Sequence, residues 1–155
     1  MKKFIPVNEP LLNGNEKKYL NECIDTGWIS SEGPFVEKFE KNFADKMGRK
    51  YGIAVTNGTS ALDVAIEAIG IKKGDEIIIP TFTIISCVLQ IVRCGAIPVL
   101  VDADPYTWNM NVSQIEEKIN SKTRAIMAVH IYGLPVDMEP IEEICKKYKL
   151  KMSLI

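Results

Sequence analysis

Apolar and polar positions along this chain change period repeatedly, and each change predicts an element. The opening "IPVNEPLLNGNEKKYLNECIDTG" reads as an extended lead-in followed by a helix from about Glu16 to Asp25, stopped by Gly27. A second helix begins at Pro34, whose missing N–H suits a first helical turn. Phe35, Phe39, Phe43 and Met47 then fall on one face at i, i+4 spacing.

From Tyr51 onward short apolar runs alternate with helical segments. The order is "YGIAVT", a helix from Thr59, "DEIIIP", a segment from Thr83, "IPVLVD", a helix from Ser113, "RAIMAVH", a helix from Met138 and "LKMSLI". Runs such as Ile77 to Ile79 and Val99 to Val101 are apolar on both faces, as a parallel sheet covered by helices on both sides requires. The fold class is therefore α/β, and segments near 76–80, 97–101, 125–129 and 150–155 are expected to form one parallel sheet through helical crossovers. No internal repeat, low-complexity segment or linker interrupts the pattern.

Composition narrows the function classes. The 155 residues suffice for one ordinary domain, and 46% hydrophobic with 25% charged residues is a globular balance. A formal net charge of -1 argues against binding nucleic acid through bulk charge. Cys23, Cys87, Cys94 and Cys145 are dispersed and His130 is the single histidine, so neither a disulfide framework nor a zinc site is signalled. Lys2 and Lys3 are followed by Pro6, Asn8, Glu9 and Pro10 where a signal peptide needs its apolar core, and no apolar run reaches membrane-spanning length. These observations set the expectation of a cytoplasmic protein with reduced thiols and no membrane contact.

The chemistry concentrates in "AVTNGTSALDVAI", residues 54–66. Here a strand is expected to turn through Asn57-Gly58, a pair that permits positive φ, into a helix starting at Thr59 or Ser60. A helix N-terminus at the carboxyl edge of a sheet, with two hydroxyls beside it, can hold a phosphate through N–H donors, O–H groups and the helix dipole. The P-loop lysine is absent and the spacing is not G-x-G-x-x-G, so an ordinary capped βα turn and a phosphate site both stand on the residues alone.

Four longer stretches resemble one family in its own motif order. They are "GWISSEGPFVEKFEKNFA", "VTNGTSALDVAIEAIGIKKGDEIIIPTFT", "GAIPVLVDAD" and "KTRAIMAVHIYGLPVDMEPI". The family is that of the pyridoxal phosphate (PLP)-dependent sugar aminotransferases, DegT/DnrJ/EryC1/StrS, and "TWNMNVSQIEEKI" resembles its perosamine synthases in particular. The resemblance implies the N-terminal half of the fold-type-I large domain, with residues 1–50 as an extended segment and helices and 51–155 as an incomplete PLP-binding α/β domain. It further implies a homodimer in which glutamate donates an amino group to a nucleotide-linked 4-keto-6-deoxy sugar, for surface polysaccharide or glycan biosynthesis.

Carried onto this chain, the resemblance makes Gly58, Thr59 and Ser60 the cofactor-phosphate turn. It makes Ile84 the residue that packs on the cofactor ring, where the family commonly has an aromatic side chain. It places the pyridine-pairing aspartate and the cofactor-carrying lysine after "YKLK", where this chain reads "MSLI". The expectation is a chain truncated by a frameshift, without the small C-terminal domain, inactive by itself and with weak cofactor binding. The strand at 51–56 is also expected to lack its ladder neighbour.

Other conspicuous residues have ordinary readings. Lys146 and Lys147 share a helix with Glu142 and Glu143 as a solvated face, and His130 holds a loop at a strand end. Asp102 and Asp104 serve turns or caps, while Trp28 and Trp108 pack. No residue is assigned a catalytic or metal-binding role. Two other functions remain open: a module that binds a phosphorylated ligand or nucleotide sugar through "TNGTSA", and an interaction partner of a full-length aminotransferase.

Overall fold

A computed structural model describes residues 4–155, so Lys2 and Lys3, used above against a signal peptide, lie outside the described residues. Contacts divide the chain into one unit ending at Ala54 and a second spanning Val55–Ile155.

In the first unit, α1 runs Glu16–Thr26 and closes on Gly27, whose φ of 76° is the left-handed C-cap conformation that glycine adopts without steric cost. Helix α2 runs Pro34–Lys46 with proline in its first turn. Tyr19 and Phe35 join the two helices with ring centroids 5.2 Å apart. Phe39 and Phe43 stack on one another at 5.8 Å yet stay exposed, and of this helix only Ala44 is buried.

The second unit carries a sheet built from β1 (Glu76–Pro80), β2 (Ile97–Val101), β3 (Thr123–Ala128) and β4 (Lys151–Leu154). All pairings are parallel, in the order β2-β1-β3-β4. The alternation of side chains along β1 explains the two cores. Ile77 and Ile79 face α3 (Gly58–Ala68) and α4 (Ile85–Arg93), where Leu62, Ile66, Cys87 and Ile91 close one core. Ile78 faces the other way and packs with Ile115, Ile126 and the Ile141 and Cys145 side chains of α5 (Met138–Tyr148). Helices thus cover both faces, as a parallel sheet of apolar strands requires.

Three local expectations are corrected. Residues 51–55 form no ladder among the described residues, and Ile53 is 72% exposed. An extended segment becomes a strand only when a neighbour takes its N–H and C=O groups; the strand assignment fails here, while the expected lack of a ladder neighbour holds among the described residues. The helix expected from Ser113 is instead two single 3-10 turns, Val112–Gln114 and Glu116–Lys118. Asn111 caps the first, and the few residues left before Asn120 are too short a span to propagate an α-helix. Finally, β2 is an edge strand, so Ile97 and Leu100 are about half exposed (46% and 50%) rather than covered on both faces.

Candidate functional site

The turn into α3 is organised by Asn57. Its backbone is extended at φ -167°, and its Oδ1 accepts the Ser60 N–H at 2.9 Å. The cap is therefore Asn57, not Thr59 or Ser60, and Gly58 is already helical with no positive φ. A Cβ at Gly58 would meet nothing within 4 Å, so the mouth of the turn is open.

With the cap satisfied by one side chain, the Gly58 and Thr59 N–H groups donate to no partner among the described residues. Two hydroxyls lie beside them, Thr56 Oγ1 and Ser60 Oγ, 3.3 Å apart, and Asn57 Nδ2 reaches Thr56 Oγ1 at 3.3 Å. Free N–H donors, hydroxyls and the positive end of the α3 dipole converge on one exposed spot. Such a set of donors matches the oxygens of a phosphate monoester. The predicted Gly58, Thr59 and Ser60 are thus brought together. Thr56 and Asn57 complete the cluster; both lie in the "TNGTSA" stretch read from sequence as able to hold a phosphorylated ligand, although neither was singled out as a cofactor-binding residue.

Ile84 lies on the neighbouring βα turn as the N-cap residue of α4, 60% exposed. The aromatic ring of this turn belongs to Phe82, which stands edge-on to Trp108 at 5.1 Å and tilted to Tyr132 at 6.5 Å. Phe82, Trp108 and Tyr132 follow β1, β2 and β3 respectively, so this aromatic group stands at the carboxyl edge of the sheet.

A polar network fixes the loops that carry those rings. Asn109, 5% exposed, donates through Nδ2 to the Leu134 and Pro135 carbonyls at 3.1 and 3.2 Å and accepts the Ile131 N–H at 3.2 Å. His130 accepts the Val136 N–H on Nδ1 at 3.0 Å, which is the loop-holding role read from sequence. Asp104 accepts the Tyr106 and Thr107 N–H groups at 2.9 and 2.8 Å and the Thr107 hydroxyl at 3.0 Å. Those backbone bonds from Thr107 and Tyr106 hold its carboxyl below the usual carboxylate value. Asp102 accepts the Ala103 N–H at 2.8 Å and the Thr81 hydroxyl at 3.4 Å, so both carboxylates serve turns. Sequence reading missed Asn109, because an asparagine buried by packing has no local pattern.

Comparison with known proteins identifies the family. The profile of the DegT/DnrJ/EryC1/StrS aminotransferase family matches residues 10–153. The GDP-perosamine synthase of Escherichia coli O157:H7 is 52% identical over 96% of this chain and 41% of its own length. The aminotransferase from Psychrobacter cryohalolentis has a crystal structure that superposes with a TM-score of 0.86 at 34% identity, over 94% of this chain and 37% of that one. NtdA from Bacillus subtilis, solved with the cofactor PMP bound, superposes at 0.85 with 29% identity, over 99% and 38%. The chain spans about two fifths of the length of these relatives (41%, 37% and 38%). With its parallel sheet, its open capped turn and a family match across nearly all of its residues, the chain belongs to the DegT/DnrJ/EryC1/StrS aminotransferase family.

Proposed function

We propose that this chain forms part of a PLP-dependent aminotransferase that moves an amino group from glutamate to the keto carbon of a GDP-linked 4-keto-6-deoxy sugar, in glycan or surface polysaccharide biosynthesis. The observation that carries the proposal is the Asn57-capped turn, with its open N–H groups and adjacent hydroxyls. The identity to a GDP-perosamine synthase supports the finer choice of substrate.

Bound PLP would supply the electron sink for amino-group transfer. This chain's part is to hold the phosphate: the Gly58 and Thr59 N–H groups and the Thr59 and Ser60 hydroxyls would donate to its oxygens, and Ile84 would pack against the ring from the next turn. The reading assigns these residues to cofactor binding. A second copy of the chain is the proposed partner, supported by Phe39, Phe43 and Met47, each about half exposed on one side of the second helical segment (58%, 53% and 52%).

Calorimetric titration with PLP and with PMP tests the proposal. Saturable binding is expected, and Ser60→Ala should weaken it about tenfold, the value of roughly one charge-assisted hydrogen bond. Equal affinity of the wild-type chain and of a Thr59→Ala, Ser60→Ala double variant would overturn the phosphate assignment.

A further inference from the structure

Two aromatic residues at the carboxyl edge of the sheet hold conformations that aromatic residues avoid. Trp108 has φ 63° and Tyr132 has φ 50°, both in the left-handed region. Both rings are also exposed, at 57% and 80%. Each arrangement is unfavourable twice over, in backbone strain and in apolar surface left in water, and it persists only where the surroundings impose it.

The surroundings do impose it. The Trp108 N–H donates to the Asp104 carbonyl at 2.8 Å, and the next residue, Asn109, is the buried clamp on residues 131, 134 and 135. Tyr132 sits inside the loop so clamped, whose far end the His130 side chain also holds through the Val136 N–H. Both rings contact Phe82, within the centroid range of aromatic pairs. A rigid hydrogen-bonded frame thus presents two strained rings outward, in the place where α/β sheets bind ligands.

We infer that Trp108 and Tyr132, backed by Phe82, form a stacking platform for the nucleobase of the nucleotide-linked substrate. The inference rests on the functional reading above and names where the substrate's far end would lie. Charge decides which end that is. Asp102 and Asp104 stand on the loop that carries Trp108 and disfavour a phosphate there, whereas the flat face of a base stacks on Trp or Tyr whatever its hydrogen-bonding pattern. The donors assigned to the cofactor phosphate stand at a different turn, at the start of α3.

The test uses the 155-residue chain, calorimetric titration with GDP and with inorganic pyrophosphate, and thermal melting. Trp108→Gly and Tyr132→Gly remove a ring and relax the backbone at once; Tyr132→Asn removes the ring with a residue that tolerates the left-handed region, and Tyr132→Phe keeps it. The expected result is a GDP affinity roughly tenfold lower for each ring-deleting variant and unchanged for Tyr132→Phe, with melting temperatures retained or raised and pyrophosphate binding unaltered. Unchanged GDP affinity in the ring-deleting variants would overturn the inference, as would lower melting temperatures with affinity intact, the mark of rings that serve packing alone. PLP titration of the same proteins separates the two readings. Ser60-dependent PLP binding beside GDP binding indifferent to the rings leaves the functional proposal standing and this inference failed. Ring-dependent GDP binding beside PLP binding indifferent to Ser60 leaves the platform standing and fails the phosphate turn.

Discussion

The side-chain amide of Asn109 donates to the main-chain carbonyl of Leu134 at 3.1 Å, joining the loop after β2 to the loop after β3 across 25 residues of sequence. The same amide also serves Pro135 and Ile131, so one buried side chain satisfies three backbone groups of a loop without regular ladder bonds.

Asn109→Ala leaves the Leu134 and Pro135 carbonyls without this donor, while the Ile131 N–H keeps the Val129 carbonyl at 3.1 Å, and is expected to cost about 2–3 kcal/mol. Asn109→Asp should destabilise at least as much, because a carboxylate cannot donate to the Leu134 and Pro135 carbonyls. Urea denaturation followed by far-UV circular dichroism checks both. An alanine variant as stable as the parent would remove the clamp from the argument.

The Asp104 turn sets an acid limit on the loop that carries Trp108. Its carboxyl is held below the ordinary 3.8, so the bonds it makes stabilise the folded turn above the unfolded value and are lost as pH falls through the folded one. Trp108 emission, isolated by Trp28→Phe, should stay level from pH 7 to about 5 and change below 3.8. Asp104→Asn, which can still accept the Thr107 N–H but does not titrate, should abolish that acid transition.

Lys149 ends α5 in the left-handed conformation, at φ 56°. Glycine adopts that conformation without the Cβ clash, although it gives up more chain entropy on folding. The balance for Lys149→Gly is a gain of about 0.5–1 kcal/mol, visible as a higher melting temperature. A lower one would mean that the lysine side chain makes contacts worth more than the strain.

Gly52 lies hard against α2: a Cβ there would stand 2.4 Å from the Glu40 carbonyl oxygen. Two residues on, the Ala54 N–H donates to the Glu40 carboxylate at 2.8 Å. Gly52→Ala must push the chain away from the helix, at a cost of about 1–3 kcal/mol, and should loosen that hydrogen bond. Hydrogen exchange reads the effect directly. In the parent the Ala54 amide should exchange more slowly than those of Ile53 and Val55, which have no ladder partner among the described residues, and in the variant the difference should vanish.

Much of the fold follows from local pattern. The unbroken apolar runs at Ile77–Ile79 and 125–129 call for a strand buried on both faces, and strands joined by helical crossovers pair in parallel, as β1 and β3 do. Gly27 and Pro34 mark helix ends because their backbone preferences act within a residue or two, and the donor-rich turn at 57–60 is legible for the same reason. Other features depend on neighbours that no short window contains. Residues 51–55 carry a strand's composition and form none, because a ladder needs a second strand. The 112–118 stretch is too short a span for helical cooperativity to act, and Leu100 is apolar yet half exposed because its strand is an edge. The clamp made by Asn109, and the meeting of Phe82 with Trp108 and Tyr132, belong to the tertiary structure alone: residues about 25 to 50 positions apart meet only once the parallel sheet has brought the ends of its strands to one edge.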